Sequence, residues 1–414
     1  MLLSFEKNSK VFLKVVVLTV SLFSMALPAD SAKVTTPANK SGFSIKGSNN
    51  FELQLKGYGQ MTGYSGVADK NKVYTDQFLI RRARLETRVM LGSNVQMRIH
   101  GELASSPQIL DVYLQLNMLD QLNLQLGIFK SPLSMERLQP VTALLFSDFA
   151  YTASIAPNRD IGIQLSGKSF GGILKYQAAV VNGSQDGSSS SGDLDDSKDV
   201  AGRVLLLPFA KDKKNIFNSF GIGLGGSYGM HEGEALSSFR TSGRTKIFNY
   251  KSNCLSDGRM YRVAPQIQWF SGKFSLISEY IQNQFKIADT NGLKSDLSNY
   301  AWTVSSGLII LNGTRTEKGY STDKPFCIEK KYPGGFELVA RTHAIEFDKE
   351  TFRGFASSTS SVRSVLSLEG GINWLVNDNA RIHISYCTSQ FKGGAANGNR
   401  ADEKVITFTT DMFF

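Results

Sequence analysis

From residue 51 to the C-terminus the chain alternates apolar and polar residues in one segment after another, each 8 to 15 residues long. "FELQLKGYG" (51–59) sets Phe51, Leu53 and Leu55 against Glu52, Gln54, Lys56 and Tyr58. "LIRRARLETRVML" (79–91) sets Ala83, Leu85, Val89 and Leu91 against Arg82, Arg84, Glu86 and Arg88. "VQMRIHGEL", "DVYLQLNML", "LNLQLGIF", "DIGIQLSG" and "ARIHISYCTSQF" repeat the pattern. A period of two puts successive side chains on opposite faces of a strand. Weaker segments at 173–181, 199–207, 218–230, 260–270, 273–287, 298–311, 334–347, 362–374 and 403–414 bring the expected strands to sixteen.

The connections alternate too. Short turns are predicted at 92–93, 119–121, 168–172, 271–272 and 375–378, and long polar loops at 60–76, 130–159, 182–198, 231–259, 288–297, 348–361 and 392–402. An even strand count with tight turns on one rim and long loops on the other is the plan of an outer-membrane barrel. One connection, 312–333, is long where a short turn is due. A soluble sandwich or propeller also alternates, but its outward rows are charged. Here the apolar rows carry almost no charge, and Phe274, Trp302, Trp374 and Phe408 sit near predicted strand ends. Lipid demands paired backbone groups and favours such rings at its interfaces. The expected fold is all-β: a transmembrane antiparallel barrel of about sixteen strands over residues 51–414.

Residues 1–32 predict an export signal, with Lys7, Lys10 and Lys14 ahead of the apolar run Val15 to Ala29 and small residues in "ADSA". A short polar lead, 33–50, follows. Beyond it no run of 18 apolar residues occurs, which excludes helical spans. The three cysteines, Cys254, Cys327 and Cys387, are an odd number at wide spacing and predict free thiols. Cys254 is expected in an outer loop and Cys327 at the opposite rim, too far apart to bridge. No His or Cys spacing suits a metal, and nothing points to a cofactor or to nucleic acid.

The formal charge is +10. With the apolar rows toward lipid, Lys56, Arg82, Arg84, Arg88, Arg98, Arg203, Arg262, Arg341 and Arg381 are expected to face the lumen. Basic rings between low-dielectric walls concentrate anions, and the planar guanidinium suits phosphate oxygens. Glu86, Glu102 and Asp111 are expected to pair with some of these cations. The alternative is that the network only solvates the lumen and separates crowded arginines. The segment from Lys130 to Arg159 contains an apolar run, Val141 to Phe149, too greasy for an external tip. It is expected to fold into the barrel, making Lys130, Arg137 and Arg159 candidates for a constriction. Lys130 could equally cap the strand end at the rim.

Other signals carry less. "GIGLGG" (221–226) matches a dinucleotide fingerprint but continues in strand alternation rather than a helix. "SQDGSSSSGDLDDSKD" is acidic, lacks calcium-loop spacing, and predicts a flexible external loop. His343 and His383 fall on inward rows, the wrong face for a barrel lipase, so no enzyme is expected.

Several stretches resemble the phosphate-selective porin family of the O and P type: "RRARLETRVML", "DVYLQLNMLDQLNLQLGIFKSPLSMERL", "LLFSDFAYTASIAPNRDIGIQLSG" and "DDSKDVAGRVLLLPF". "YAWTVSSGLIILNG", "GGFELVARTHAIEF" and "GGINWLVNDNARIHISY" follow in family order. The resemblance implies a 16-stranded barrel in the outer membrane of a Gram-negative bacterium, usually a homotrimer, passing anions through a basic lumen. Small anions such as phosphate are candidate solutes, but solute preference varies within the family and phosphate does not follow from the match. Lys130 matches the family's Gly-x-x-Lys-x-Pro element. The last strand, "VITFTTDMFF", ending in Phe414, resembles the signal read by the barrel-assembly machinery. A structural or adhesive barrel without selective transport is the alternative.

Overall fold

The structure is a computed structural model; it describes residues 33–35, 42–48, 50–67, 76–104, 106–190, 192 and 195–414. The export signal expected at 1–32 lies outside the described residues. All sixteen expected wall strands form. They are β1 (Glu52–Gly66), β2 (Gln77–Leu91), β3 (Val95–Glu102), β4 (Gln108–Leu119), β5 (Leu122–Lys130), β6 (Arg159–Ser169), β7 (Leu174–Val181) and β8 (Asp199–Leu206). Then come β9 (Gly221–Ala235), β10 (Cys254–Phe270), β11 (Phe274–Asp289), β12 (Lys294–Leu311), β13 (Gly335–Glu346), β14 (Val362–Asn377), β15 (Ala380–Ala395) and β16 (Glu403–Phe413). Each pairs antiparallel with the next, and β16 closes on β1 from Val405↔Gly66 to Phe413↔Tyr58. Closure leaves no strand edge in the hydrocarbon. Below Tyr58 a short strand, Phe43–Lys46, takes over the seam and pairs with residues 52–55 of β1.

The apolar row faces outward where lipid is expected: Leu55 and Met61 on β1, Leu224 on β9, Val263 and Ile267 on β10, Leu338 on β13 and Ile406 on β16 are all well exposed. At the long-loop ends of β10 to β15 the polarity reverses. There Phe285, Ile287, Leu297, Ile345, Val365 and Phe391 point inward and are buried. They pack under Phe239, Ile247, Phe248 and Tyr250 of loop 236–253 and under Phe347 and Phe355 at loop 347–361. The Phe248 and Phe347 rings stack at 3.8 Å. This reversal corrects two expectations. The loops expected at 231–259 and 288–297 shrink to 236–253 and 290–293, because the strands run on above the bilayer with apolar residues inside and polar residues such as Gln282 and Gln284 outside. Loop 182–198 also departs from a free external loop. Its residues Ser184, Gln185 and Asp186 are buried in the mouth, where Asp186 accepts from Arg262 at 2.9 Å and from Asn283 at 2.7 Å.

At the short-turn rim, 312–334 folds inward as a small hairpin, Thr314–Thr316 with Gly319–Ser321. Arg315 and Tyr320 are buried by it, and Glu317 at its tip reaches Lys175 of β7 at 3.2 Å. A second long connection at this rim, 207–220, was not expected to stand out. Cys254 is the first residue of β10 rather than a loop residue, and Cys327 lies at the other rim. All three thiols are free. Mass spectrometry under non-reducing conditions is expected to show no bridge between Cys254 and Cys327; finding one would break this strand order.

Candidate functional site

Loop 131–158 leaves β5, enters the lumen and travels round the inner wall. A greasy segment must be buried, and its main-chain groups must then find partners. The barrel supplies them strand by strand. Gln266 of β10 donates to the Leu133 carbonyl at 2.7 Å. The Glu279 carboxylate of β11 takes the Ser134 hydroxyl at 2.8 Å and the Met135 N–H at 2.6 Å, holding the start of the four-residue helix Met135–Leu138. Gly225 of β9 lets this passage through: a Cβ there would lie 2.3 Å from the Leu133 carbonyl oxygen. Within "GIGLGG" this role belongs to Gly225.

Further on, four arginines donate to consecutive parts of the loop. Arg315 donates to the Ala143 carbonyl at 2.9 Å and Arg381 to that of Leu144. Asn373 reaches the Leu145 carbonyl at 3.2 Å. Arg82 takes the Ser147 carbonyl at 2.8 Å, and Arg341 that of Asp148 at 2.8 Å. Each arginine also has a carboxylate. Arg315 pairs with Glu337, Arg341 with Glu369 at 2.6 Å, Arg381 with Asp411, and Arg82 with Asp148 at 3.2 Å. Tyr151 closes the circuit, its N–H on His343 Nδ1 at 3.2 Å and its ring stacked on the His343 imidazole at 4.2 Å.

The nine arginines and lysines expected in the lumen therefore fall into two groups. Arg82, Arg262, Arg341 and Arg381 are buried and hold loops against the wall. Lys56, Arg84, Arg88, Arg98 and Arg203 stay partly exposed on the side the loop leaves bare. There Arg84 pairs with Glu102 at 2.7 Å, and Arg98 with Glu86 at 2.6 Å and Asp111 at 3.5 Å. Arg88 shares Glu86, and Arg203 donates to Gln266 at 2.7 Å. Of the three loop candidates, Arg159 is buried on Asp111 at 2.8 Å. Lys130 does not cap a rim: its Nζ reaches inward to the Gln139 carbonyl at 2.6 Å and holds the end of the short helix. Arg137 donates to the Ala153 carbonyl at 2.7 Å and lies over the Phe149 ring. Along β1 to β4, with Arg159 at the start of β6, five cations thus stand against Glu86, Glu102 and Asp111: Arg84, Arg88, Arg98 and Arg159 pair with them, and Lys56 lies opposite Glu86 in the strand register.

Above this wall opens a cavity of about 470 Å³ lined by Arg81, Arg137, Arg240, Arg244, Asp148 and Phe149, among others. Below it Lys168, Lys175 and Arg203 border a smaller one of about 200 Å³. Strict alternation misses Arg81 by assigning it to the lipid row. In the structure the register shifts there: Gln60 pairs with Arg82 but Met61 pairs with Ile80. Arg81 is the extra residue of a bulge, so it and Arg82 both reach Asp148, Arg81 at 2.8 Å. An arginine on a lipid row was the available signal. Arg240 and Arg244 sit in a loop where no periodicity applies. Arg244 has a positive φ of 66° and makes no side-chain hydrogen bond among the described residues, although the Asp148 carboxylate across the same cavity attracts it. Burial, then the neighbouring Arg81, lower its pKa from the usual arginine value.

Barrel, inner loop and basic face agree with the sequence comparison, in which the profile of the phosphate-selective porin O and P family matches residues 57–410. The chain belongs to this family. The porin is an outer-membrane channel of a Gram-negative bacterium, not an enzyme. Its fold is similar to that of the outer membrane channel DcaP of Acinetobacter baumannii, with TM-score 0.57 and 12% identity over 90% of this chain and 100% of that one. An anion-selective porin from Comamonas acidovorans gives 0.56 and 11% over 88% and 100%. The trimer form of OmpT from Vibrio cholerae gives 0.55 and 8% over 88% and 99%. At such identities the likeness concerns the fold. No curated protein sequence matches the chain.

Proposed function

We propose that the porin passes small anions, phosphate among them, by diffusion along the bare side of its lumen. The observation that carries this is a coincidence of place: the inner loop covers the wall from β9 round to the outer end of β2, and the excess cations lie where it does not. An anion would meet Arg81, Arg137, Arg240 and Arg244 in the outer cavity, where these four arginines stand against the carboxylate of Asp148, that of Asp186 being held by Arg262 and Asn283. It would then pass Arg84, Arg98, Arg88 and Lys56, and leave past Arg203, Lys175 and Lys168. Arginines already shared with carboxylates hold a passing anion weakly enough to release it, as conduction requires.

In a planar bilayer under a KCl gradient, the purified porin is expected to give steps of current with an anion-selective reversal potential. Cation preference would end the anion reading, and an absence of conductance would favour a structural or adhesive barrel. Addition of phosphate is expected to lower chloride current if phosphate lingers at the arginines.

The assembly proposed is a homotrimer in outer-membrane lipid. Strands β3, β7 and β8 have 8 residues each, fewer than the 9–11 a tilted strand needs to cross a bilayer. Neighbouring copies would shield that low wall. Phe414, which exchanges main-chain hydrogen bonds with Gly57 beside the seam, is the proposed end signal for the barrel-assembly machinery.

A further inference from the structure

The two long connections at the short-turn rim are built alike, and the pore does not explain the likeness. Connection 207–220 joins β8 to β9, and 312–334 joins β12 to β13. In each case a tryptophan on the lipid-facing row of a nearby strand donates its indole N–H to a carbonyl of the connection. Trp269 of β10 donates to Ile216 at 2.9 Å, and Trp374 of β14 to Pro333 at 2.8 Å. Each tryptophan also holds an aromatic ring of its connection: Phe217 stacks on Trp269 at 5.0 Å, and Phe326 meets Trp374 edge-on at 5.3 Å. Phe274 and Phe336, from the same lipid-facing belt, pack on these indoles at 5.2 and 6.3 Å.

Both connections leave large apolar side chains uncovered. Ile216 is 59% exposed and Ile328 80%, with Phe217 and Phe326 more than two-fifths exposed. Both also carry clustered exposed lysines: Lys211, Lys213 and Lys214 beside Asp212, and, besides Lys318 on the inward hairpin, Lys324, Lys330 and Lys331 beside Asp323 and Glu329. Indole and phenyl rings with an apolar tip suit the headgroup boundary of a bilayer. Clustered lysines at that boundary attract anionic headgroups. The tips continue the lipid-facing belt, so the surface they meet is the periplasmic leaflet.

We propose that these two connections are paired binding sites for anionic phospholipids of the periplasmic leaflet. The lysines take the headgroup phosphates, and Ile216, Phe217, Phe326 and Ile328 enter the boundary between headgroup and acyl chain. Lys213, Lys214 and Ile216 also border a cavity of about 660 Å³ shared with Lys175, Arg315 and Glu317, but the lipid readouts below do not use conduction, so this inference does not rest on it.

The test is native mass spectrometry of the mature porin in micelles mixing phosphatidylglycerol with phosphatidylcholine. Phosphatidylglycerol is expected to stay bound in preference. The variants K211Q/K213Q/K214Q and K324Q/K330Q/K331Q are each expected to retain about fivefold less, and the combined variant to show no preference. Heat-modifiable gel migration checks that each variant folds. A second readout uses W302F, which leaves only Trp269 and Trp374 of the three tryptophans. Brominated phosphatidylglycerol is expected to quench them more strongly than brominated phosphatidylcholine. Equal quenching, or a six-lysine variant that binds like wild type, would overturn the proposal. Loss of binding to peptidoglycan sacculi with unchanged lipid retention would overturn it as well.

Discussion

The variant R84Q/R88Q/R98Q is expected to lose most of the anion preference, its reversal potential moving toward zero by on the order of tens of millivolts in a steep salt gradient. The reason is a balance of charge on the bare wall. Lys56 and Arg159 would remain there against Glu86, Glu102 and Asp111, so the cationic excess disappears. Glutamine keeps the inward row polar and able to hydrogen-bond, so the strands still present one apolar face to lipid. The same exchange at Arg82, Arg341 and Arg381 acts differently, because those guanidinium groups are buried beneath the loop. An unchanged reversal potential in R84Q/R88Q/R98Q would remove these three residues from the pathway.

Arg381→Ala is expected to destabilise the barrel by about 3–5 kcal/mol, the range for stranding one member of a buried ion pair. Asp411 would keep only its hydrogen bonds from Tyr58 and Gln60, each 2.9 Å. The Leu144 carbonyl would lose its donor at the same time. Since this arginine holds the loop as well as the carboxylate, two readouts are expected to move together. The temperature at which the folded form is lost on a gel should fall, and single-channel current should become larger and noisier as the loop leaves the wall. Arg381→Lys should lie between the two, because an ammonium cannot serve the carboxylate and the carbonyl with a planar fork. A stable variant with unchanged conductance would show that Arg381 does not anchor the loop.

Arg82, Arg341 and Arg381 explain why candidate pore residues are hard to sort from sequence alone. All three sit on inward rows, as do Arg84, Arg88 and Arg98, and alternation treats the six alike. What separates them is the course of residues 143–148, which pass over one set and not the other. The partners are far apart in the chain: Leu144 and Arg381 differ by 237 positions, and Asp148 and Arg341 by 193. Val141 to Phe149 did announce, through its greasiness, that this loop would be buried. It did not announce which wall it would follow.

The wall itself was legible from the chain. Lipid imposes one rule on every spanning residue, apolar outside and anything else inside, so sixteen strands, their facing and the inward-folding loop were written locally. Arg81 escapes because a bulge adds a residue and resets the alternation, and β10 to β12 extend beyond the segments the pattern predicts because the rule reverses above the bilayer. The division of the arginines into anchors and exposed cations was decided only in three dimensions, as were the common design of the two rim connections and the open side of the lumen. Each depends on where a loop returns against a distant strand, and no local pattern of polarity encodes that.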